Sequence, residues 1–115
     1  MKRLIALAIL ALALAVPAAA AASTTLRISA SPTALRYSTS RLTAHPGLVT
    51  ILMTNRSPLR HDIEVKGHGV LAKGKIVGKG GVSRVSVRLK AGTYTFLCTV
   101  DSHAAAGMKG TLVVK

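Results

Sequence analysis

Apolar and polar residues alternate with a period of two wherever a period can be read between residues 25 and 115. Residues 82–89 show this most clearly, because Val85, Val87 and Leu89 are separated by polar side chains. Such alternation places one face of a strand in a core and the other face in solvent. Turn-forming dipeptides and tripeptides separate the segments at Ser31-Pro32, His45-Pro46-Gly47, Ser57-Pro58, Gly80-Gly81 and Ala91-Gly92. The sequence therefore predicts an all-β fold.

The turns delimit seven short strands. A chain of 115 residues is long enough for a single domain. The predicted strands are 26–30, 35–39, 48–55, 61–65, 82–89, 93–98 and 111–114. Residues 66–79, with four Gly and four Lys, are predicted to be a long irregular connection. Short strands at this spacing are typical of a β-sandwich or a small barrel. In 61–65 the parity of Ile63 and Val65 predicts that His61 faces inward and that Asp62 and Glu64 face outward.

The N-terminus has the organisation of a secretory signal peptide. Lys2 and Arg3 are followed by an uncharged run, then Pro17 and an alanine tract that ends at Ala22. We expect cleavage after Ala22, which divides the chain into a signal peptide, 1–22, and a mature domain, 23–115. The uncharged stretch is also nearly long enough to be an uncleaved membrane anchor, although Pro17 and the alanines disfavour that. Either reading places the domain outside the cytoplasm, in the periplasm or secreted.

Basic residues dominate the charge, with 16 Lys and Arg against 3 Asp and Glu, a formal net charge of +13. They are scattered along strands and loops and are not interleaved with aromatic residues. Nucleic-acid recognition is therefore not expected, because platforms for base stacking and readout motifs are missing. An acidic protein partner is expected instead.

Three residues able to ligate a metal follow one another as C-x4-H-x4-M, from Cys98 through His103 to Met108. They lie between two predicted strands, and His61 supplies a second imidazole from an earlier strand. Taken singly, each has a plainer reading: a buried cysteine, a loop or core histidine, a core methionine. Together, a thiolate and a thioether suit Cu(I) and two imidazoles also suit Cu(II), whereas zinc gains little from a methionine. The combination predicts a type 1 copper site.

At these residues the chain resembles the small cupredoxins, the family of plastocyanin and azurin. The resemblance includes the 46–55 strand, the Gly-Thr-Tyr-Thr-Phe-x-Cys segment and the Gly-Met-x-Gly-Thr-Leu segment. It implies a Greek-key β-sandwich with His61, Cys98 and His103 as equatorial copper ligands and Met108 as the axial ligand.

Two positions depart from the family pattern. Asp62 stands where Asn is commoner, at a position whose backbone N–H bonds the thiolate and whose side chain ties the two ligand segments together, here facing Thr99. Asp101-Ser102 stands where the family often has Pro-Gly. Groups around the ligands tune redox potential and metal affinity, so both properties are expected to differ from the family norm.

The resemblance implies a monomeric electron carrier rather than an enzyme. Its partners would be acidic redox proteins such as a cytochrome or a copper oxidase or reductase, with His103 and its flanking alanines at the contact. A copper carrier or buffer of the same fold is the alternative, and a basic adhesin without metal is a third reading. A multicopper oxidase is disfavoured, because the chain is short and has no His-x-His pair.

Overall fold

The computed structural model describes residues 2–12 and 22–115. Eight strands form the domain, and no helix is present in these described ranges. In chain order the strands are β1 (Ser23–Ala30), β2 (Arg41–Ala44), β3 (Gly47–Asn55), β4 (Glu64–Gly67), β5 (Val70–Lys73), β6 (Val82–Leu89), β7 (Gly92–Leu97) and β8 (Lys109–Val114).

The strands form two sheets, so the predicted all-β sandwich is confirmed. The smaller sheet has the order β1-β3-β6, and the larger sheet has the order β2-β8-β7-β4-β5. β1 runs parallel to β3, β2 runs parallel to β8, and the other neighbours are antiparallel. β7 therefore lies in the middle of the larger sheet, with partners on both edges.

The alternation seen in the sequence places one face of each sheet in a shared core. In β3 the inward residues are Val49, Ile51 and Met53, and β7 contributes Tyr94 and Phe96; all five are buried. Burying side chains of this size contributes about 1.5–3 kcal/mol each. The chain's single cysteine, Cys98, is free and buried in the same core, so packing holds the sheets together.

The predicted strand at 35–39 is wrong. Only Tyr37 pairs there, in an isolated bridge with Ala30, and β2 begins instead at Arg41. The Ser31 hydroxyl accepts backbone N–H groups from Thr33 and Ala34, which makes a local turn. The apolar alternation around Tyr37 reflects an aromatic ring buried in the core, 5.6 Å from the ring of Phe96, and not a ladder of strand pairing.

The region from 61 to 79 also differs from its prediction. β4 begins at Glu64, and His61 instead pairs with Val77 in an isolated bridge. Because residues 61–63 are not in a strand, alternation fails there and Asp62 is buried instead of facing outward. The segment predicted to be irregular contains β5, which forms a hairpin with β4 through a turn at His68 and Gly69, both with positive φ.

The predicted signal peptide, 1–22, falls partly outside the described residues, because 1 and 13–21 are not among them. Cleavage after Ala22 therefore stays a prediction. Residues 2–12 have no regular secondary structure, and the leucines among them are exposed. Across 2–12 and 22–115, we find no helix with the length and apolar character that crossing a membrane requires.

Gly110 provides a test of how tightly the larger sheet packs on its core. A Cβ added at Gly110 would overlap the Phe96 ring and would lie 2.6 Å from the Ser40 carbonyl oxygen. Phe96 is fully buried, so core neighbours surround its ring. We expect Gly110→Ala to lower the free energy of unfolding by about 1–3 kcal/mol, measured by chemical denaturation.

The matched control is Gly78→Ala, because a Cβ there meets nothing within 4 Å. Its effect should stay within about 0.5 kcal/mol. Equal stabilities of the two variants would show that the contact between Gly110 and Phe96 is not tight.

Candidate metal centre

Strand pairing brings the two halves of the site together. β4 and β7 are antiparallel neighbours, and Glu64 is paired with Leu97. In an antiparallel pair, the residues before one strand lie beside the residues after the other. His61 precedes Glu64 and Cys98 follows Leu97, so this register places both at the same end of the sandwich.

The loop between β7 and β8 supplies the other two residues. It folds back on itself because the Met108 N–H donates to the His103 carbonyl at 3.0 Å and the Cys98 N–H donates to the Met108 carbonyl at 3.1 Å. His103 and Met108 are both buried. All four predicted ligands, His61, Cys98, His103 and Met108, therefore lie in one small region of the core.

Three donor atoms form a nearly regular triangle. His61 Nδ1 lies 3.1 Å from His103 Nδ1, and each of these nitrogens lies 3.7 Å from Cys98 Sγ. These three distances define a point about 2.0 Å from every donor, close to the length of a metal–nitrogen bond. The exposed fractions of His61, Cys98 and His103 are 0, 0 and 9%.

The chemistry of the donors fits a copper ion of the type 1 class. Three groups with lone pairs face a common point, and a cation there satisfies all of them at once. The second ring nitrogen of His61, Nε2, is buried and has no hydrogen-bond partner among the described residues, so Nδ1 is the nitrogen with contacts. Two imidazoles, a thiolate and a nearby thioether are the set found in blue-copper sites. His61, Cys98, His103 and Met108 thus form a type 1 copper-like arrangement.

Burial sets the protonation of the site. Desolvation, and then the neighbouring His103, lower the pKa of His61, so its ring is neutral near pH 7 and has a free lone pair. Desolvation raises the pKa of the Cys98 thiol, while hydrogen bonds from the Asp62 and Val100 backbones oppose that change. A metal that binds here displaces the thiol proton.

The side chain of Asp62 joins the two ligand segments. Its Oδ1 accepts the Thr99 N–H at 2.7 Å, and its Oδ2 accepts the Thr99 hydroxyl. The carboxylate is fully buried, and Lys73 Nζ lies 3.7 Å from Oδ2. The family resemblance predicted that Asp62 faces Thr99. The contact with Lys73 was not predicted, because residues 66–79 were expected to be an irregular connection and β5 was not recognised.

Two further residues position His61, and the sequence analysis missed both. The Tyr37 hydroxyl donates to the Asp62 carbonyl at 2.6 Å. Asn55 is buried at the end of β3, and its amide donates to the carbonyls of Leu59 and Val77. The sequence signal that would have identified Asn55 is an asparagine that ends a strand just before a Ser-Pro turn.

The ligand loop closes without the Pro-Gly that the family often has. Asp101 adopts a positive φ of 44°, and the His103 N–H donates to the Val100 carbonyl at 3.1 Å. Asp residues tolerate this left-handed conformation better than most non-glycine residues. Asp101-Ser102 therefore makes the turn before His103, and the Asp101 side chain is exposed.

The Tyr37 hydroxyl predicts a dependence of stability on alkaline pH. Burial, followed by the proximity of Cys98 and Asp62, raises the pKa of Tyr37 above its ordinary value near 10. Above pH 10 the unfolded chain loses this proton and the folded chain keeps it. The Tyr37 contribution to stability is therefore complete below pH 10 and is lost above it, by up to about 1.4 kcal/mol per pH unit.

Denaturation of the wild type and of Tyr37→Phe from pH 8 to 11.5 measures this contribution. We expect the variant to be about 1 kcal/mol less stable at pH 8 and to have a shallower alkaline slope. Tyr94→Phe is the control, because it removes a hydroxyl that donates to the Lys90 carbonyl and leaves Tyr37 in place. Parallel slopes for wild type and Tyr37→Phe would contradict the assignment.

Comparisons with known proteins agree with this geometry. A family model described as a cupredoxin-like domain matches residues 4–114. A search of curated proteins gives no significant match. Dithionite-reduced auracyanin from Roseiflexus castenholzii is 25% identical, with 84% of this chain and 99% of that chain covered and a TM-score of 0.72. Auracyanin A, a "blue" copper protein from Chloroflexus aurantiacus, is 24% identical, with coverages of 82% and 100% and a TM-score of 0.71.

A more distant structure shares the same fold. An amicyanin variant in its reduced Cu(I) form is 22% identical, with 79% of this chain and 82% of that chain covered and a TM-score of 0.60. The family match spans nearly the whole chain and includes both ligand segments. This chain therefore belongs to the cupredoxin-like domain family.

Proposed function

We propose that this protein is a monomeric electron carrier with a type 1 copper centre, working outside the cytoplasm between larger redox partners. The observation that carries the proposal is the convergence of three donor atoms on one point in a buried site. In this proposal His61, Cys98, His103 and Met108 would hold the copper ion. When bound, copper supplies one-electron chemistry by alternating between Cu(I) and Cu(II).

The protein contributes a fixed geometry. His61 is held by its bridge to Val77, and Cys98 is held by the end of a central strand. The bonds from Asp62 to Thr99 lock the two segments together. Ligands that cannot relax keep the same positions in both oxidation states, so little reorganisation accompanies electron transfer.

His103 is the route for the electron. It is the one histidine ligand with an exposed fraction above zero, 9%. Ala104 is half-buried, and Ala105 and Ala106 are exposed beside it. Small apolar side chains allow a partner to approach the ring edge closely and then to leave quickly.

A basic groove next to the ligand loop favours an acidic partner. The groove has a volume of about 710 Å³, and its lining includes Arg36, Arg56 and Lys109 together with hydroxyl side chains. No Asp or Glu lines it. Gly107 and Lys109, on either side of Met108, connect it to the site. A positive field at this position raises the rate of association with a negatively charged protein.

The burial of the ligands disfavours the alternative of a copper carrier. A carrier passes its ion to an acceptor by exchanging ligands, which requires access to them. Cys98 and Met108 have no exposed surface. We therefore expect fast electron exchange and slow release of copper.

The visible spectrum of the protein loaded with Cu(II) tests the copper centre. We expect an intense blue or green charge-transfer band that Cys98→Ser abolishes, because the thiolate produces it. Met108→Leu should keep the band and shift it. Met53→Leu, a change at a buried methionine in β3, is the control and should leave the spectrum unchanged. A colourless protein that binds Cu(II) weakly would refute the proposal.

Stopped-flow electron transfer with a small acidic cytochrome tests the groove. We expect Arg36→Glu combined with Lys109→Glu to slow association about tenfold at low salt. The difference from wild type should shrink as ionic strength rises, because salt screens exposed charges.

Arg84→Glu combined with Arg88→Glu is the control for net charge. These residues lie in β6, are exposed and do not line the groove. If this control slows association as much as the groove variant, only net charge matters. A rate that is independent of ionic strength would contradict electrostatic steering altogether.

A further inference from the structure

Asp62 is an unusual acid in this chain. The sequence has only three carboxylate side chains, and Asp62 is the buried one, since Glu64 is half-buried and Asp101 is exposed. A carboxylate taken out of water needs hydrogen bonds and a counter-charge. Thr99 supplies two hydrogen-bond donors, and neither of them carries a charge.

Lys73 supplies the counter-charge. Its Nζ lies 3.7 Å from Asp62 Oδ2, and no other cation among the described residues lies within 4.0 Å of an Asp or Glu oxygen. The hairpin of β4 and β5 fixes its place, because Lys73 is paired with Glu64 and the next residue, Gly74, donates its N–H to the Ile63 carbonyl at 2.9 Å. Lys73 therefore contacts the residue next to His61 from β5, a strand that carries none of the candidate ligands.

We propose that Lys73 is a positioning residue that sets the reduction potential of the metal centre by neutralising the Asp62 carboxylate. This inference rests on the proposed copper function. Asp62 lies next to His61, and its carboxylate accepts two hydrogen bonds from Thr99, the residue that follows Cys98. An uncompensated negative charge on Asp62, next to a ligand, favours the more positive, oxidised copper ion. Lys73 opposes that effect and holds the potential up.

The exposure of the Lys73 side chain limits how much it changes the reduction potential. The Lys73 side chain is 46% exposed, so solvent screens part of its charge. We expect Lys73→Met to shift the ratio of Cu(I) to Cu(II) about threefold toward Cu(II) at a fixed solution potential. That is a fall of about 30 mV, at 59 mV per tenfold change for one electron.

Voltammetry of the copper-loaded protein tests the proposal with three lysine variants and with Asp62→Asn, alone and combined with Lys73→Met. Lys73→Met should lower the potential, and Lys73→Arg should restore most of it. Lys75→Met is the matched control, because Lys75 is an exposed lysine two residues away that forms no ion pair with any described residue. It should move the potential much less. In an Asp62→Asn background, Lys73→Met should have almost no effect, because the charge that Lys73 neutralises is gone.

Two results overturn the proposal while leaving the copper function intact. Equal shifts in Lys73→Met and Lys75→Met would mean that only net charge acts. A Lys73→Met shift that persists with Asp62→Asn would mean that Lys73 does not act through Asp62. A protein that takes up no copper overturns this inference together with the proposed function.

Denaturation of the metal-free protein supplies a readout that does not depend on copper. Lys73→Met should lower the denaturation midpoint more than Lys75→Met, because it leaves a buried carboxylate without a counter-charge. The extra loss should disappear in the Asp62→Asn background. If the two lysine variants lose equal stability, the ion pair does not form in solution and the proposal is wrong.

Discussion

The pairing of β4 with β7 is the constraint on which the site depends. Its register, with Glu64 opposite Leu97, brings the residues before one strand beside the residues after the other. The Asp62 carboxylate then bonds to Thr99 across the gap. Without this register His61 and Cys98 would not lie at the same end of the sandwich, and the loop from Cys98 to Met108 would not lie beside His61. The strand register therefore determines whether the candidate ligands come together.

The buried side chains and the exposed charged side chains of this protein have different roles. Its core is apolar and holds the four ligand residues, whereas nearly all of its charge lies on exposed side chains. Buried groups fix distances because they are packed on all sides. Exposed basic groups act over several ångströms through solvent without disturbing that packing. Asp62 and Lys73 are the exception, because there a surface charge contacts a buried one beside the site.

The single cysteine illustrates how burial and chemistry combine. A free thiol in an extracytoplasmic protein is liable to oxidation. Here Cys98 is fully buried, and its environment raises the thiol pKa, so the metal-free thiol is unreactive. Under the proposed function, ligation protects the sulfur further. In that function the same residue serves both as a core side chain and as a ligand, in a fold that has no disulfide to stabilise it.

Local pattern determined much of this protein. Alternation fixed the all-β class, and the spacing of Cys98, His103 and Met108 placed three candidate ligands in one loop, because loop neighbours stay close whatever the rest of the chain does. His61 was identified as the fourth candidate ligand from its parity with Ile63 and Val65 and from the family resemblance. Only the tertiary structure decided that 35–39 is not a strand, that Asp62 is buried, and that Tyr37 and Lys73 contact it. Those contacts join residues 11 to 25 positions apart, and they depend on strand register and sheet packing, which no local period encodes.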